Sequence, residues 1–146
     1  MSATRSMEDY LERIYDLMLE KGYARVSDIA VSMDVTPPSV SRMLRKLSDE
    51  QYIHYEKYRG LTLTQKGERV GKRIKARHDA LDRFLRLLGI EDQVVIDKDI
   101  EGIEHHVSPV TLERITKLVS FFASNPEACA AFREHQIDTH NDGLTD

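Results

Sequence analysis

The sequence predicts a mainly α-helical chain that opens with a winged helix-turn-helix and runs through a long helix into an all-α second half. Two short apolar patterns, one of Ile29, Ala30 and Met33 and one of Val40, Met43, Leu44 and Leu47, are separated only by the MDVT stretch, as in two helices joined by a tight turn. The segment YIHYEKYRGLTLT then places β-branched and aromatic residues on both sides of a KYRG turn containing Gly60, the pattern of a small hairpin. A stripe of Ile74, His78, Leu81, Leu85 and Leu88 follows, marking a long helix.

Taken in order, MEDYLERIYDLMLEKGYARV is an amphipathic helix, because Met7, Leu11, Ile14 and Met18 recur on one helical face; Gly22 is its expected end. The helix-turn-helix comes next. Thr36 followed by Pro37 is a helix start, since the hydroxyl can cap free N–H groups and proline at the first position loses no needed bond. After the hairpin, Thr64 is the expected N-cap of the long helix, over about residues 65–88, and Gly89 closes it. Ile96, Ile100, Ile103 and Val107 mark another helix. Two more are expected at 109–124 and 126–137, with Pro109 and Pro126 in their first turns, before a polar tail HNDGLTD that should fray. These elements suggest a winged-helix domain over 1–70 and a helical domain over 71–146.

At 146 residues the chain can bury a core without covalent staples. The single cysteine, Cys129, cannot close an internal disulfide, and no charged leader precedes an apolar run, so a cytoplasmic protein is expected. No stretch approaches the roughly 18 to 20 continuous apolar residues that cross a bilayer. The net charge of −4 conceals an asymmetry: residues 1–35 carry 4 Lys/Arg against 7 Asp/Glu, residues 36–86 carry 13 against 6, and residues 87–146 carry 4 against 12. A basic middle suggests a surface for a polyanion.

Helix, helix-turn-helix and hairpin in that order describe a winged helix. On its second motif helix the apolar positions leave Arg42 and Arg45 facing away from the core, with Ser41 and Lys46 at the margin and Ser39 near the exposed N-terminal end. Arginines so placed can reach guanine edges, and serine and lysine can hold phosphate. Lys57, Tyr58 and Arg59 form the wing tip, positioned to touch backbone or minor groove. A charged helix face is often only solvated, but the coincidence of tight turn, hairpin and basic segment favours double-stranded DNA.

The segment EGIEHHV raises a second possibility. Glu101, Glu104 and His105 follow i, i+3, i+4 spacing and share a face beside the apolar stripe, where carboxylates are costly unless a cation compensates them. His106 falls on another face. His78 interrupts the apolar stripe of the long helix, where a lone histidine is more often a satisfied core residue than a ligand. Asp9, Glu12, Asp16 and Glu20 read, by periodicity alone, as a solvated face. A site of Glu101, Glu104, His105 and His78, with an acidic residue from elsewhere, would be rich in oxygen and lack thiolate, which suits Mn²⁺ or Fe²⁺ better than structural Zn²⁺.

The segments SMEDYLERIY, KGYARVSDIA, YEKYRGLTLTQKG, RHDALDRFLRLLGI and DIEGIEHHVS together resemble the diphtheria toxin repressor family (DtxR/MntR) of metal-activated repressors, in its manganese-responsive branch. The resemblance covers all but the C-terminal end, and EKYRGLTLT with EGIEHH is a distinctive combination. It implies a homodimer in which the N-terminal winged helix is joined by the long helix to an all-α metal-binding and dimerisation domain. It also implies that Asp9, Glu12, His78, Glu101, Glu104 and His105 hold two Mn²⁺ ions per subunit, with Glu12, Glu101 and Glu104 as candidates to bridge them. Iron-responsive members have a methionine and a cysteine where this chain has Asp9 and Glu101, and exchanging soft sulfur for hard oxygen favours Mn²⁺.

The implied function is a Mn²⁺-activated, DNA-binding transcriptional repressor of manganese uptake genes, in which metal orders the dimer for operator recognition. Two rivals come from other classes. A two-metal carboxylate enzyme of the bundle type would offer paired E-x-x-H motifs on facing helices, and none is present. A redox-responsive winged-helix regulator would act through Cys129, but FFASNPEACAAF places that thiol in a small-residue helix where an inert, buried role is expected.

Overall fold

The structure, a computed structural model, describes residues 2–139, with side chains through residue 137; the tail HNDGLTD lies outside the described residues. Seven helices and one two-stranded antiparallel sheet follow in the order α1 (Arg5–Lys21), α2 (Val26–Met33), α3 (Pro37–Asp49), β1 (Ile53–Glu56), β2 (Gly60–Leu63), α4 (Gln65–Leu87), α5 (Gln93–Ile103), α6 (Pro109–Ser124) and α7 (Pro126–Thr139). The chain divides into two compact units between Ala76 and Arg77, within α4.

In the first unit, α1 starts two residues before Met7, where the apolar pattern begins, because Thr4 caps it, accepting from the Met7 amide at 3.3 Å. Gly22, in the left-handed region at φ 77°, ends it and donates its amide to the Met18 carbonyl. Helix α2 ends at Asp34, also left-handed, and the Val35 amide returns to Ala30, so the chain reverses quickly into α3. Thr36 holds the extended N-cap conformation of α3, but its hydroxyl does not cap. It lies 2.9 Å from the Ser39 hydroxyl instead. Two prolines at the start of α3 remove two of the amides that a cap would serve.

One core joins these elements: Leu11 and Ile14 of α1, Ile29 of α2, Val40, Leu44 and Leu47 of α3, Ile53 of β1 and Ile74 of α4 are each at most 1% exposed. Each such aliphatic side chain contributes about 1.5–3 kcal/mol relative to leaving it in water. The hairpin pairs Ile53 with Leu63 and Glu56 with Gly60. The Thr64 hydroxyl donates to the Gln51 carbonyl at 2.7 Å and accepts from the Gly67 amide at 3.0 Å, so it caps α4 and anchors it to the end of α3. Gly67 is required there: a Cβ would stand 1.9 Å from the Tyr52 carbonyl oxygen.

The second unit has its own smaller core, in which Leu81 and Leu85 of α4 pack with Ile96 and Ile100 of α5, supported by Leu112 and Ile115 of α6. Asp92 caps α5, accepting from the Val94 amide at 2.9 Å. The apolar row expected to run to Val107 stops earlier. Helix α5 ends at Ile103, itself 38% exposed, and the His106 amide makes a tighter bond to the Ile103 carbonyl. The residue before proline disfavours helical backbone, so the chain must leave the helix before Ser108, which is extended and caps α6 through the Thr111 amide. Helix α6 buries no residue fully and leaves Val110, Leu118 and Phe121 exposed.

Candidate metal centre and nucleic-acid surface

Two polar residues of the second unit occupy apolar registers. His78 continues the row of Ile74 toward Leu81 on α4, and Glu104 lies one i+4 step beyond Ile96 and Ile100 on α5. Burying the two isoleucines therefore carries the Glu104 carboxylate inward. It is 5% exposed and is the one charged residue in the buried set among the described residues. A carboxylate in that position costs several kcal/mol unless a cation faces it.

What faces it is a pair of imidazoles, one on each oxygen. His78 Nδ1 lies 3.4 Å from Oε2, and His105 Nε2 lies 3.5 Å from Oε1. Neither approach is a hydrogen bond. A charge-assisted N–H···O contact would be about 2.7–2.9 Å long. Two donors bound about 2.1 Å from a shared cation lie about 3.0 Å apart at a right angle and about 3.4 Å apart at a tetrahedral one. The observed spacings match lone pairs aimed at a common ion, and the donor set of carboxylate oxygen and imidazole nitrogen fits a divalent metal of intermediate hardness. The carboxylate thus presents each of its two oxygens to a different imidazole.

The other expected ligands are distributed as follows. Asp9 and Glu12 stand one turn apart on α1 and are half-buried, not on a fully solvated face. Asp16, on the same helix, pairs with Lys75 at 3.2 Å, and Glu20 is exposed. Glu101 is exposed one turn before Glu104, so the shared face expected for Glu101, Glu104 and His105 is only partly realised: burial selects the residues that follow Ile96 and Ile100. His106 is exposed and apart from the pair, as its spacing suggests.

In the first unit, Val40, Leu44 and Leu47 are buried while Arg42, Arg45 and Lys46 are exposed, so α3 presents three cations on the side away from the core. Ser41 is half-buried, and the Ser39 hydroxyl is engaged with Thr36. At the hairpin tip Lys57 and Arg59 are exposed, but Arg59 Nη1 lies 3.3 Å from Glu56 Oε2. An exposed pair of this kind is worth about 0.2–1 kcal/mol and yields readily to a phosphate. The basic excess lies mostly on α4: residues 36–64 carry 5 Lys/Arg against 3 Asp/Glu, and residues 65–86 carry 8 against 3.

Comparison with known proteins agrees with both surfaces. Residues 2–61 match the family described as iron dependent repressor, N-terminal DNA binding domain, and residues 64–132 match its metal binding and dimerisation domain. The chain is 53% identical over 85% of its length to the HTH-type transcriptional regulator MntR of Bacillus pumilus, covering 85% of that protein. It is 48% identical over 96% of its length to the regulator of the same name from Bacillus velezensis, covering 98% of it. Among solved structures, that of the manganese regulator SloR aligns with a TM-score of 0.69 at 31% identity over 83% of this chain. The chain spans only 55% of the length of that structure. A DNA-binding domain, a buried carboxylate between two imidazoles and a metal-binding and dimerisation domain therefore occur in one chain, which belongs to the diphtheria toxin repressor (DtxR/MntR) family of metal-dependent, DNA-binding transcriptional repressors and not to a class of enzymes.

Proposed function

We propose that this chain is a Mn²⁺-activated repressor of manganese uptake genes, acting in the cytoplasm as a homodimer on operator DNA. The observation that carries the reading is the buried Glu104 carboxylate with a different imidazole on each oxygen. That arrangement supports a centre for two ions per subunit, with Asp9, Glu12 and Glu101 completing the ligand set of His78, Glu104 and His105. The set is rich in oxygen and contains no sulfur, which favours Mn²⁺ over the softer ions. The names of the manganese regulators to which the chain is similar lend further support.

Bound Mn²⁺ supplies the positive charge that lets these carboxylates gather without mutual repulsion. The residues of the chain do the rest. Asp9 and Glu12 belong to the helix that packs directly against the helix-turn-helix, through Leu11 and Ile14. Once they share a centre with the ligands of the second unit, the winged helix loses orientational freedom before it meets DNA. Two recognition helices must match a fixed half-site spacing, so that prior loss lowers the free-energy cost of binding. Arg42 and Arg45 then read base edges, while Ser39, Ser41, Lys46, Lys57 and Arg59 hold phosphates.

Coupling of ordinary size, about 1–3 kcal/mol, corresponds to a rise of roughly 5- to 150-fold in operator affinity on adding Mn²⁺. Fluorescence anisotropy with a labelled operator duplex, in Mn²⁺ and in chelator, tests this directly. Equal affinities in the two conditions would overturn it.

A further inference from the structure

Within the first unit, α4 meets α1 across a glycine. A Cβ on Gly71 would stand 2.9 Å from Tyr15 Cβ, so a bare Cα is what lets the two helices come this near. One turn further along α4, Lys75 Nζ donates to Asp16 Oδ1 at 3.2 Å, in a half-buried ion pair that joins residues 59 apart in the chain. Ile74 lies in one core with Leu11 and Ile14. A close approach at one point fixes the distance between two helices but leaves them able to pivot about it. The ion pair stands off that point and resists the pivot.

Both partners lie about one helical turn from residues proposed for the metal centre. Asp16 follows Glu12 at i+4 and Asp9 at i+7 on α1, and Lys75 precedes His78 by one turn on α4, which runs unbroken from Gln65 to Leu87. Residues so spaced share a helix face. His78 comes about 10.5 Å of helix after Gly71, so a pivot of about 10° displaces it by about 2 Å from its place relative to α1. A working site holds its ligands to within about 0.5 Å.

We propose that Asp16 and Lys75 are positioning residues of the metal centre: their ion pair sets the angle at which α1 crosses α4 and so presents Asp9 and Glu12 to Mn²⁺ in register with His78. The inference rests on the reading of the centre given above. Neither residue is a ligand. An ammonium repels a nearby dication, so Lys75 contributes only through the helix that it holds. The row Asp9, Glu12 and Asp16 thus divides into two ligands and the residue that aims them.

The test is a double-mutant cycle on the full-length protein. Mn²⁺ affinity is read by calorimetric titration at a temperature where every variant is folded, and the metal-free melting temperature is recorded in parallel. Asp16→Asn and Lys75→Met each change the charge felt by the ion, but that effect is common to both backgrounds and cancels in the cycle. What remains is the pair. The loss of Mn²⁺ affinity on Asp16→Asn should be about 2- to 5-fold greater in the wild-type background than in the Lys75→Met background, the size expected of a partly exposed ion pair. Lys75→Arg, which can keep the pair, should stay within about twofold of wild type. Equal losses in the two backgrounds would overturn the assignment. So would a coupling in melting temperature with no counterpart in Mn²⁺ affinity, the mark of a pair that only stabilises the fold. Either result leaves the proposed centre in place, whereas a wild-type protein that binds no Mn²⁺ would overturn both.

Discussion

Replacing Glu104 with glutamine separates a metal centre from an ordinary buried ion pair, because the two accounts predict effects of opposite sign. Glutamine keeps the shape of the side chain and removes its charge. If Glu104 only pairs with protonated His78 and His105, the change breaks a buried pair at a cost of about 3–5 kcal/mol. At about 4–8 °C per kcal/mol for a unit of this size, the metal-free melting temperature would fall by well over 10 °C. The contacts of 3.4 and 3.5 Å, neither a hydrogen bond, argue instead that the carboxylate is poorly compensated without metal. Neutralising it then relieves about 1–3 kcal/mol of desolvation, and the metal-free protein should melt higher, by about 4–24 °C. Mn²⁺ affinity should move the other way. Losing a mere supporting partner of a ligand costs 10- to 100-fold, so losing a shared ligand should cost at least about 100-fold. Calorimetric Mn²⁺ titration and thermal denaturation in chelator give both numbers. A metal-free protein destabilised by more than about 10 °C with Mn²⁺ affinity retained would refute the reasoning.

Other expectations can be checked as simply. Gly67→Ala places a methyl group 1.9 Å from the Tyr52 carbonyl oxygen, so the backbone must move at the junction of α3 and α4. Urea denaturation should show a loss of about 2–4 kcal/mol, and a loss under about 0.5 kcal/mol would mean that the close approach does not hold the wing. Glu101→Cys puts a thiolate where this chain has a carboxylate, and should shift activation from Mn²⁺ toward softer ions such as Fe²⁺ and Zn²⁺. DNA binding titrated with each ion reads the order of preference, and an unchanged order would remove Glu101 from the basis of selectivity.

Much of the fold was legible because its signals are local. Apolar periodicity marked α1 to α5, Pro109 and Pro126 marked the starts of α6 and α7, and Gly22, Thr64 and Gly89 set boundaries through conformations or caps that few residue types provide. Two local signals misled. Thr36 precedes two prolines and so has few amides to cap, and Val107 continues a helical row that Ser108 and Pro109 interrupt. The centre was legible in part. His78 stood out as a polar residue in an apolar stripe, but the same sign was missed at Glu104, which follows Ile96 and Ile100 at i+4 spacing. Grouping Glu104 with Glu101 by charge hid the fact that burial treats them differently. Asp9 and Glu12 could not be told from Asp16 and Glu20 by periodicity, since all four lie opposite the same apolar row; their assignment came from resemblance alone. The left-handed backbone of Tyr58, at φ 73°, is invisible in sequence, because KYRG reads as an ordinary turn until its backbone angles are known.

The claim that most needs measurement is that metal and DNA act on one equilibrium. Thermodynamic linkage requires reciprocity: whatever factor Mn²⁺ adds to operator affinity, the operator must add to Mn²⁺ affinity. Titrating Mn²⁺ into the protein with and without saturating operator duplex, and comparing that ratio with the ratio of operator affinities in Mn²⁺ and chelator, should give the same factor, in the range of roughly 5- to 150-fold. A Mn²⁺ affinity indifferent to the operator would contradict the account.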